Sequence, residues 1–321
     1  MMKAVVRYGY CNPDQLIIDR VALPSPGEDE ILIKVKATTV NRTDCSILTG
    51  KPWVIRLFTG LFKPLRCITG TDFAGIVVDK GINVDQFEIG DHAYGFFDQC
   101  LSSHAEYVAI STKKAILKKP DNVTFEQAAA SLEGAHYAFY FLKGLNLKAA
   151  DRVLINGGTG AIGNAALQLL NHFKIQVTIT CVAEFVDMLK SQGAEKVIDY
   201  QKHDFTKIND QFDYVFDAVG KSTFKKCKPL LKPKGIYISS ELGEYWQNPF
   251  LALLSPLMTG KKVKFPLPYS IEHSMKFINE LMLNGEFTPL IDRRYPLEDI
   301  QKAYDYVLSG QKKGNVVITF D

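Results

Sequence analysis

Arg152-Val-Leu-Ile-Asn-Gly-Gly-Thr-Gly-Ala-Ile-Gly163 decides the reading of this chain. An apolar run over 153–155 stops at glycines, and Gly158, Gly160 and Gly163 fit the spacing G-x-G-x-x-G. An amphipathic segment over 164–173 follows at once. Strand, tight turn and helix in that order are the context of a dinucleotide fingerprint. The first glycine permits the turn, the second admits a pyrophosphate against the backbone, and the third lets helix and strand pack closely. The phosphates are then expected at the N–H groups of Ala161 and Ile162, where helix geometry favours negative charge. A glycine turn with no ligand is the competing reading.

Around this turn the middle of the chain alternates strand and helix. Strands are expected at 153–156, 176–182, 196–199, 214–218, 235–239 and 263–268, and helices at 164–173, 184–192 and 222–231. Such alternation indicates a parallel sheet with helices on both faces. The first third instead reads as short Val-, Ile-, Tyr- and Phe-rich strands at 2–8, 15–20, 30–39, 73–80, 92–95 and 105–110, a pattern that suggests a barrel-like unit. Thr124, with Gln127 three residues on, caps a helix expected over 125–144. Two further helices, 270–284 and 297–309, precede a last strand at 315–320, which most simply rejoins the N-terminal strands. The expected domains are therefore 1–120 with 270–321, and 121–269.

The 321 residues suffice for about two domains, and the 46% apolar and 23% charged fractions are ordinary for a globular protein. The net charge of +3 and two small lysine clusters, 225–228 and 261–264, do not point to a nucleic-acid partner. No apolar run reaches the roughly 18 residues of a membrane span. Residues 2–8 already read as a strand, so no cleavable targeting segment is expected. Six scattered cysteines, none spaced as C-x-x-C, suit reduced thiols and a cytoplasmic location.

Nine segments, in order, carry a family resemblance. They include Ala37-Thr-Thr-Val-Asn-Arg-Thr-Asp44, Gly70-Thr-Asp-Phe-Ala-Gly75, Phe87-Glu-Ile-Gly-Asp91, Glu133-Gly-Ala-His136 and the glycine turn. Lys196-Val-Ile-Asp-Tyr200, Asp217-Ala-Val-Gly220 and the C-terminal pair Pro296–Ala303 and Lys313–Ile318 complete them. Over nearly its whole length the chain resembles the zinc-free, quinone oxidoreductase-like medium-chain dehydrogenase/reductases. The resemblance implies a GroES-like, partly open β-barrel catalytic domain with an inserted Rossmann domain, and an active site in the cleft between them. It implies a homodimer too, with 262–267 as the edge strand by which two sheets join. The aromatic stretch 53–62 is expected to help cover the cleft and shape the substrate pocket.

The family's zinc enzymes carry a cysteine where this chain has Asn41 and a histidine where it has Thr71. Catalytic zinc takes three protein ligands, and Asp72 alone does not supply them; no zinc is expected. Hydride transfer without a metal suits quinones and α,β-unsaturated carbonyls, whose developing oxygen charge needs only hydrogen-bond donors. Asn41 is the first candidate for such a contact, or for one with the cofactor amide. Its plainer reading is a turn-forming residue after a strand. His136 is the second, as a ribose contact or a proton donor near neutral pH, unless it is a satisfied structural histidine. Asp44 reads as holding a local turn, and His92 and His104 as structural.

The candidate cofactor residues are Thr43, Gly158, Thr159, Gly160, Ala161, Ile162, Gly163, Val182, Glu184, Tyr200, Val219 and Ser239. Glu184, near the end of the second Rossmann strand, would repel a 2′-phosphate, or else serves only the helix dipole. Tyr200 belongs to the pattern of NADP-using relatives. The residues leave NADP and NAD open, and the resemblance leans to NADP. The leading function is zinc-independent NAD(P)H-dependent reduction of a small hydrophobic quinone or enone. A zinc-free alcohol or carbonyl dehydrogenase and a non-enzymatic NAD(P)H sensor are the alternatives.

Overall fold

The structure, a computed structural model, describes residues 1–239, 241–257, 259–266 and 270–320. The chain divides into two compact units, Met1–Glu133 with Ser270–Asp321, and Gly134–Tyr269.

In the first unit β1 (Met2–Val6) pairs antiparallel with β2 (Ile17–Val21). The long strand β3 (Glu30–Val40) organises the rest. It pairs antiparallel with β4 (Asp72–Lys80), which continues to β5 (His92–Phe96). β6 (Tyr107–Ser111) also pairs with β3, and β7 (Ile116–Lys118) with β5. Alternate residues Ile31, Ile33 and Val35 enter one core with Phe73, Val77, Val108 and Ile110, as period-two patterning requires. α1 (Arg42–Thr49) follows β3 directly, and α2 (Arg56–Thr59) lies in the aromatic stretch.

The helix expected over 125–144 is two helices, α3 (Phe125–Ala130) and α4 (Glu133–Leu142). The break has a local cause. The Ser131 N–H is shared between the Gln127 and Ala128 carbonyls (3.0 and 3.3 Å), and its hydroxyl also donates to the Ala128 carbonyl (2.8 Å), a local bond that competes with continuation of the helix. α3 packs on β3, β4 and β5. The first unit accordingly runs to Glu133 rather than to the expected 120.

The second unit holds β8 (Arg152–Asn156), α5 (Ala161–His172), β9 (Gln176–Cys181), α6 (Val186–Ser191) and β10 (Lys196–Asp199). β11 (Phe212–Asp217), α7 (Phe224–Cys227), β12 (Leu231–Ser239), α8 (Gln247–Leu254) and β13 (Lys262–Lys264) follow. The sheet order is β10-β9-β8-β11-β12-β13, with every pair parallel. This is the doubly wound Rossmann order, whose reversal point lies beside β8. The helix expected at 222–231 gives way after Cys227 to a 3-10 turn, Lys228–Leu230, because Pro229 has no N–H to donate. β13 is shorter than the strand expected at 263–268, and Leu267 and Pro268 lie outside the described residues.

The chain then returns to the first unit through α9 (Ile271–Leu283), β14 (Ile291–Pro296), α10 (Ile300–Leu308) and β15 (Asn315–Thr319). β15 runs antiparallel to β3, Val316 opposite Val40. α10 buries Ile300, Ala303, Tyr304 and Val307, one helical stripe, against Val40, Cys45, Leu48 and Val316. Among the described residues no helix is long and apolar enough to cross a membrane.

Candidate active site

The glycine turn is held by a buried polar network. Thr180, in β9, donates its hydroxyl to Asn156 Oδ1 and accepts the Gly157 N–H, both at 2.9 Å. Its carbonyl accepts the Gly158 N–H at 2.8 Å. Asn156 Nδ2 donates to Asp217 Oδ1 at 2.9 Å. Asp217, fully buried at the end of β11, also accepts from the N–H groups of Gly220 (3.1 Å) and Ser222 (3.2 Å) and from Tyr237 Oη (2.9 Å). Side chains from β8, β9, β11 and β12 thus fix one another at the strand ends.

The turn itself departs from the expectation in one respect. Gly157, not Gly158, takes the left-handed conformation, at φ 98°, and a Cβ there would meet Val219 Cγ2 at 1.9 Å. Gly158 is instead packed against Ile179. Gly163 abuts the Gly157 carbonyl, where a Cβ would stand at 2.1 Å, so α5 and β8 pack closely there. Gly160 differs from both. Its φ is −70°, and an added Cβ would meet only the Gly157 carbonyl, at an ordinary 3.5 Å. Neither backbone conformation nor packing within the chain calls for glycine at this position. Gly160 is the N-cap of α5, whose first backward bond is from the Asn164 N–H to the Gly160 carbonyl. The N–H groups of Ala161, Ile162 and Gly163 precede that bond and have no helical acceptor.

The remaining candidates of this unit collect at the same strand ends. Thr159 is buried in the turn. Val182 caps a 3-10 turn, Ala183–Phe185, on which Glu184 is exposed. Half-exposed Tyr200 donates its N–H to the Cys181 carbonyl at 3.1 Å. Val219 follows β11, and buried Ser239 closes β12 and accepts the Glu241 N–H at 3.2 Å. Asp217, Asn156 and Thr180 were not among the sequence candidates. A polar residue ending each of several apolar strands was the available signal.

Asn41 and Thr43 belong to the first unit. Asn41 caps α1 in a reciprocal box: its Oδ1 accepts the Asp44 N–H at 2.8 Å, and Asp44 Oδ2 accepts the Asn41 N–H at 3.0 Å. Its Nδ2 donates to Thr71 Oγ1 at 3.0 Å and lies 3.3 Å from Asp72 Oδ2. The amide expected to reach a substrate oxygen is therefore buried and spent within the protein. Thr43 is likewise engaged, its hydroxyl donating to Glu133 Oε1 at 2.9 Å. Asp72 accepts from Thr39 N–H (2.7 Å) and Thr38 Oγ1 (3.0 Å), and also from the Thr39 hydroxyl. Burial pushes its pKa up to about 7 against those bonds. Asp44 is raised as well, by burial and then by the Asp72 charge. The side chains at the family's zinc-ligand positions are thus tied into a hydrogen-bonded cluster. Among the described residues no group of three or more His, Cys, Asp and Glu is arranged to hold a metal.

His136 does not fit a proton donor at neutral pH. It is buried on α4 with its ring edge-on to Tyr137 and Tyr140, and burial brings its pKa down to about 4. His104, fully buried in the first unit, is also brought to about 4 by burial. Its Nε2–H donates to the Thr39 carbonyl (2.9 Å), which leaves Nδ1 to accept from Thr69 Oγ1 (2.9 Å).

The fold and these strand ends define a GroES-like unit joined to a Rossmann unit. Residues 27–121 match the alcohol dehydrogenase GroES-like domain and residues 192–318 the family described as zinc-binding dehydrogenase. The chain is 30% identical to 2-methylene-furan-3-one reductase of Solanum lycopersicum, across 99% of its own length and 79% of the relative's. It is 28% identical, with the same coverage, to the chloroplastic NADPH-dependent alkenal/one oxidoreductase of Arabidopsis thaliana. The solved quinone oxidoreductase from Coxiella burnetii superposes with a TM-score of 0.85 at 26% identity, over 100% of this chain and 99% of that one. The chain belongs to the medium-chain dehydrogenase/reductase family, in its quinone oxidoreductase-like branch.

Two outcomes follow from this geometry. Asp217→Ala strips a buried acceptor from several donors and should cost about 3 kcal/mol or more in urea unfolding; a loss under about 1 kcal/mol would show that the network does not hold the strand ends. The histidines give a pH effect of defined sign. Each has its pKa lowered from 6.5 to about 4, so the unfolded chain binds a proton that the folded one refuses. Stability should fall as pH drops from 6.5 towards 4, by about 2 kcal/mol per histidine at about pH 5. His136→Gln should remove its share of the pH 8 to pH 5 difference; an unchanged difference would mean His136 titrates normally.

Proposed function

We propose that the protein is an NAD(P)H-dependent reductase of quinones and α,β-unsaturated carbonyls that prefers NADPH and works without zinc. Gly160 is the observation that carries it. A glycine that neither the fold nor its φ requires, at a helix N-terminus with unspent N–H groups, fits the close approach of a dinucleotide pyrophosphate. The Asn156–Thr180–Asp217 network holds that loop rigid. Tyr200, Val182 and Glu184 stand where the adenosine ribose is read. The NADPH preference rests on the similarity to the NADPH-dependent Arabidopsis relative, with Tyr200 as the candidate phosphate-side contact.

When bound, the reduced nicotinamide supplies a hydride. The chain's own residues bind and orient. In the first unit Asn41 acts as a positioning residue: it caps α1 and holds Thr71 and Asp72. His136, neutral at physiological pH, serves as a hydrogen-bonding group and not as an acid. Such a chain favours acceptors already electron-poor at the carbon that takes the hydride. Conjugated enones and quinones meet that condition, and saturated ketones do not. Both plant relatives carry names of enone-type reductions.

The test follows NADPH and NADH oxidation with a quinone, an enone and the matching saturated ketone, with and without a chelator. Enone and quinone turnover should exceed ketone turnover, unaffected by chelation and faster with NADPH. Preference for the ketone would establish a dehydrogenase, and tight NADPH binding without turnover a sensor. Gly160→Val, whose Cβ would meet nothing closer than the Gly157 carbonyl at 3.5 Å, should weaken NADPH binding by about 10²-fold or more, as expected when backbone contacts to phosphate are lost. Unchanged affinity in the folded variant would remove Gly160 from the cofactor site.

A further inference from the structure

The first unit contains a pocket of about 180 Å³ whose walls include Arg7, Phe58, Leu65, Arg66, Phe97 and Gln99. Arg7 is 1% exposed. One of its guanidinium nitrogens, Nη1, donates to the Ile47 carbonyl in the last turns of α1, and the group lies 5.6 Å from the Tyr10 ring centre. The Nε–H is buried and has no acceptor. No carboxylate lies within ion-pair distance of Arg7 or Arg66 among the described residues. Lys114 adds a third cation, its Nζ 4.0 Å from the centre of the Phe97 ring and close enough to feel the Arg66 charge.

A guanidinium out of water is stable only when its charge and donors are answered. A helix C-terminus and a ring face answer part of the Arg7 charge. The unanswered part points to an anion that the chain does not supply. The planar guanidinium fork matches a carboxylate, and Phe58 and Phe97 offer flat apolar surface beside it. The volume accommodates a single small ring or chain rather than a nucleotide.

We infer that this pocket binds a small planar carboxylic acid, its carboxylate on Arg7 and Arg66 and its apolar body against Phe58 and Phe97. The residues that line it all belong to the first unit, and none of them is among those assigned here to the cofactor, so the inference goes beyond the reductase reading.

Benzoate, benzamide and inorganic phosphate serve as probes, titrated into the full chain by calorimetry and ligand-detected NMR without cofactor. Benzoate should bind saturably in the millimolar range or tighter. Benzamide, which lacks the charge, and phosphate, which lacks the apolar body, should each bind at least about tenfold more weakly. Arg66→Ala should weaken benzoate about tenfold, and Arg7→Lys, which keeps the charge but not the fork, by a similar factor. NADPH affinity should be the same in wild type and Arg66→Ala, so a failed reductase assay leaves this result separate. No saturable benzoate binding would overturn the inference. So would phosphate binding as tightly as benzoate, or benzoate affinity unchanged in Arg66→Ala. Should Arg7→Lys fail to fold, the exposed Arg66 decides alone.

Discussion

Thr180, on β9, holds both the end of β8 and the glycine turn that follows it. Its hydroxyl takes the Gly157 N–H and gives its proton to Asn156, which in turn reaches Asp217. Without that chain of bonds the ends of four parallel strands would carry unpaired buried donors, at about 1–3 kcal/mol each. With it, the left-handed turn at Gly157 is pinned to β9, and α5 starts at one height above the sheet. The unspent amides of α5 follow directly on the turn that these bonds hold.

The first unit applies the same economy to a different group. Asp72 starts β4 and accepts from Thr38 and Thr39 on β3 and from Asn41 at its end. A carboxylate so deeply buried is costly, and its raised pKa records that cost. The bonds it gathers tie β3, β4 and α1 into one cluster. At the positions where the resemblance puts ligands of the family's zinc enzymes, Asn41, Thr71 and Asp72 are hydrogen-bonded to one another. The buried arginine of the neighbouring pocket has the opposite character: its fixed charge is only partly answered from within.

Much of the architecture was legible because hydrophobic period and turn chemistry are local. The alternation of strands and helices between 153 and 239 indicated a parallel sheet, and the spacing of Gly158, Gly160 and Gly163 marked the strand-to-helix turn. The capping residue Thr124 was readable, with Gln127 in its box. Elements that depend on a competing local bond were not. Ser131 lies at the end of a helix whose apolar pattern runs on, and Asn41 caps α1, where the sequence suggested a substrate or cofactor contact or a turn.

Side-chain roles divided along the same line. The amino-acid sequence by itself determined the fold class and the glycine turn, since both rest on residue type and spacing along the chain. Tertiary structure alone decided which glycine bends, at Gly157, and which leaves room, at Gly160. It also decided that the amide of Asn41 is consumed internally and that His136 is neutral, because partners and burial come from residues distant in sequence. The Thr180–Asn156–Asp217 chain and the unanswered charge of Arg7 belong to this second class. Each arises where strands far apart in the chain end side by side, and no local pattern encodes that meeting.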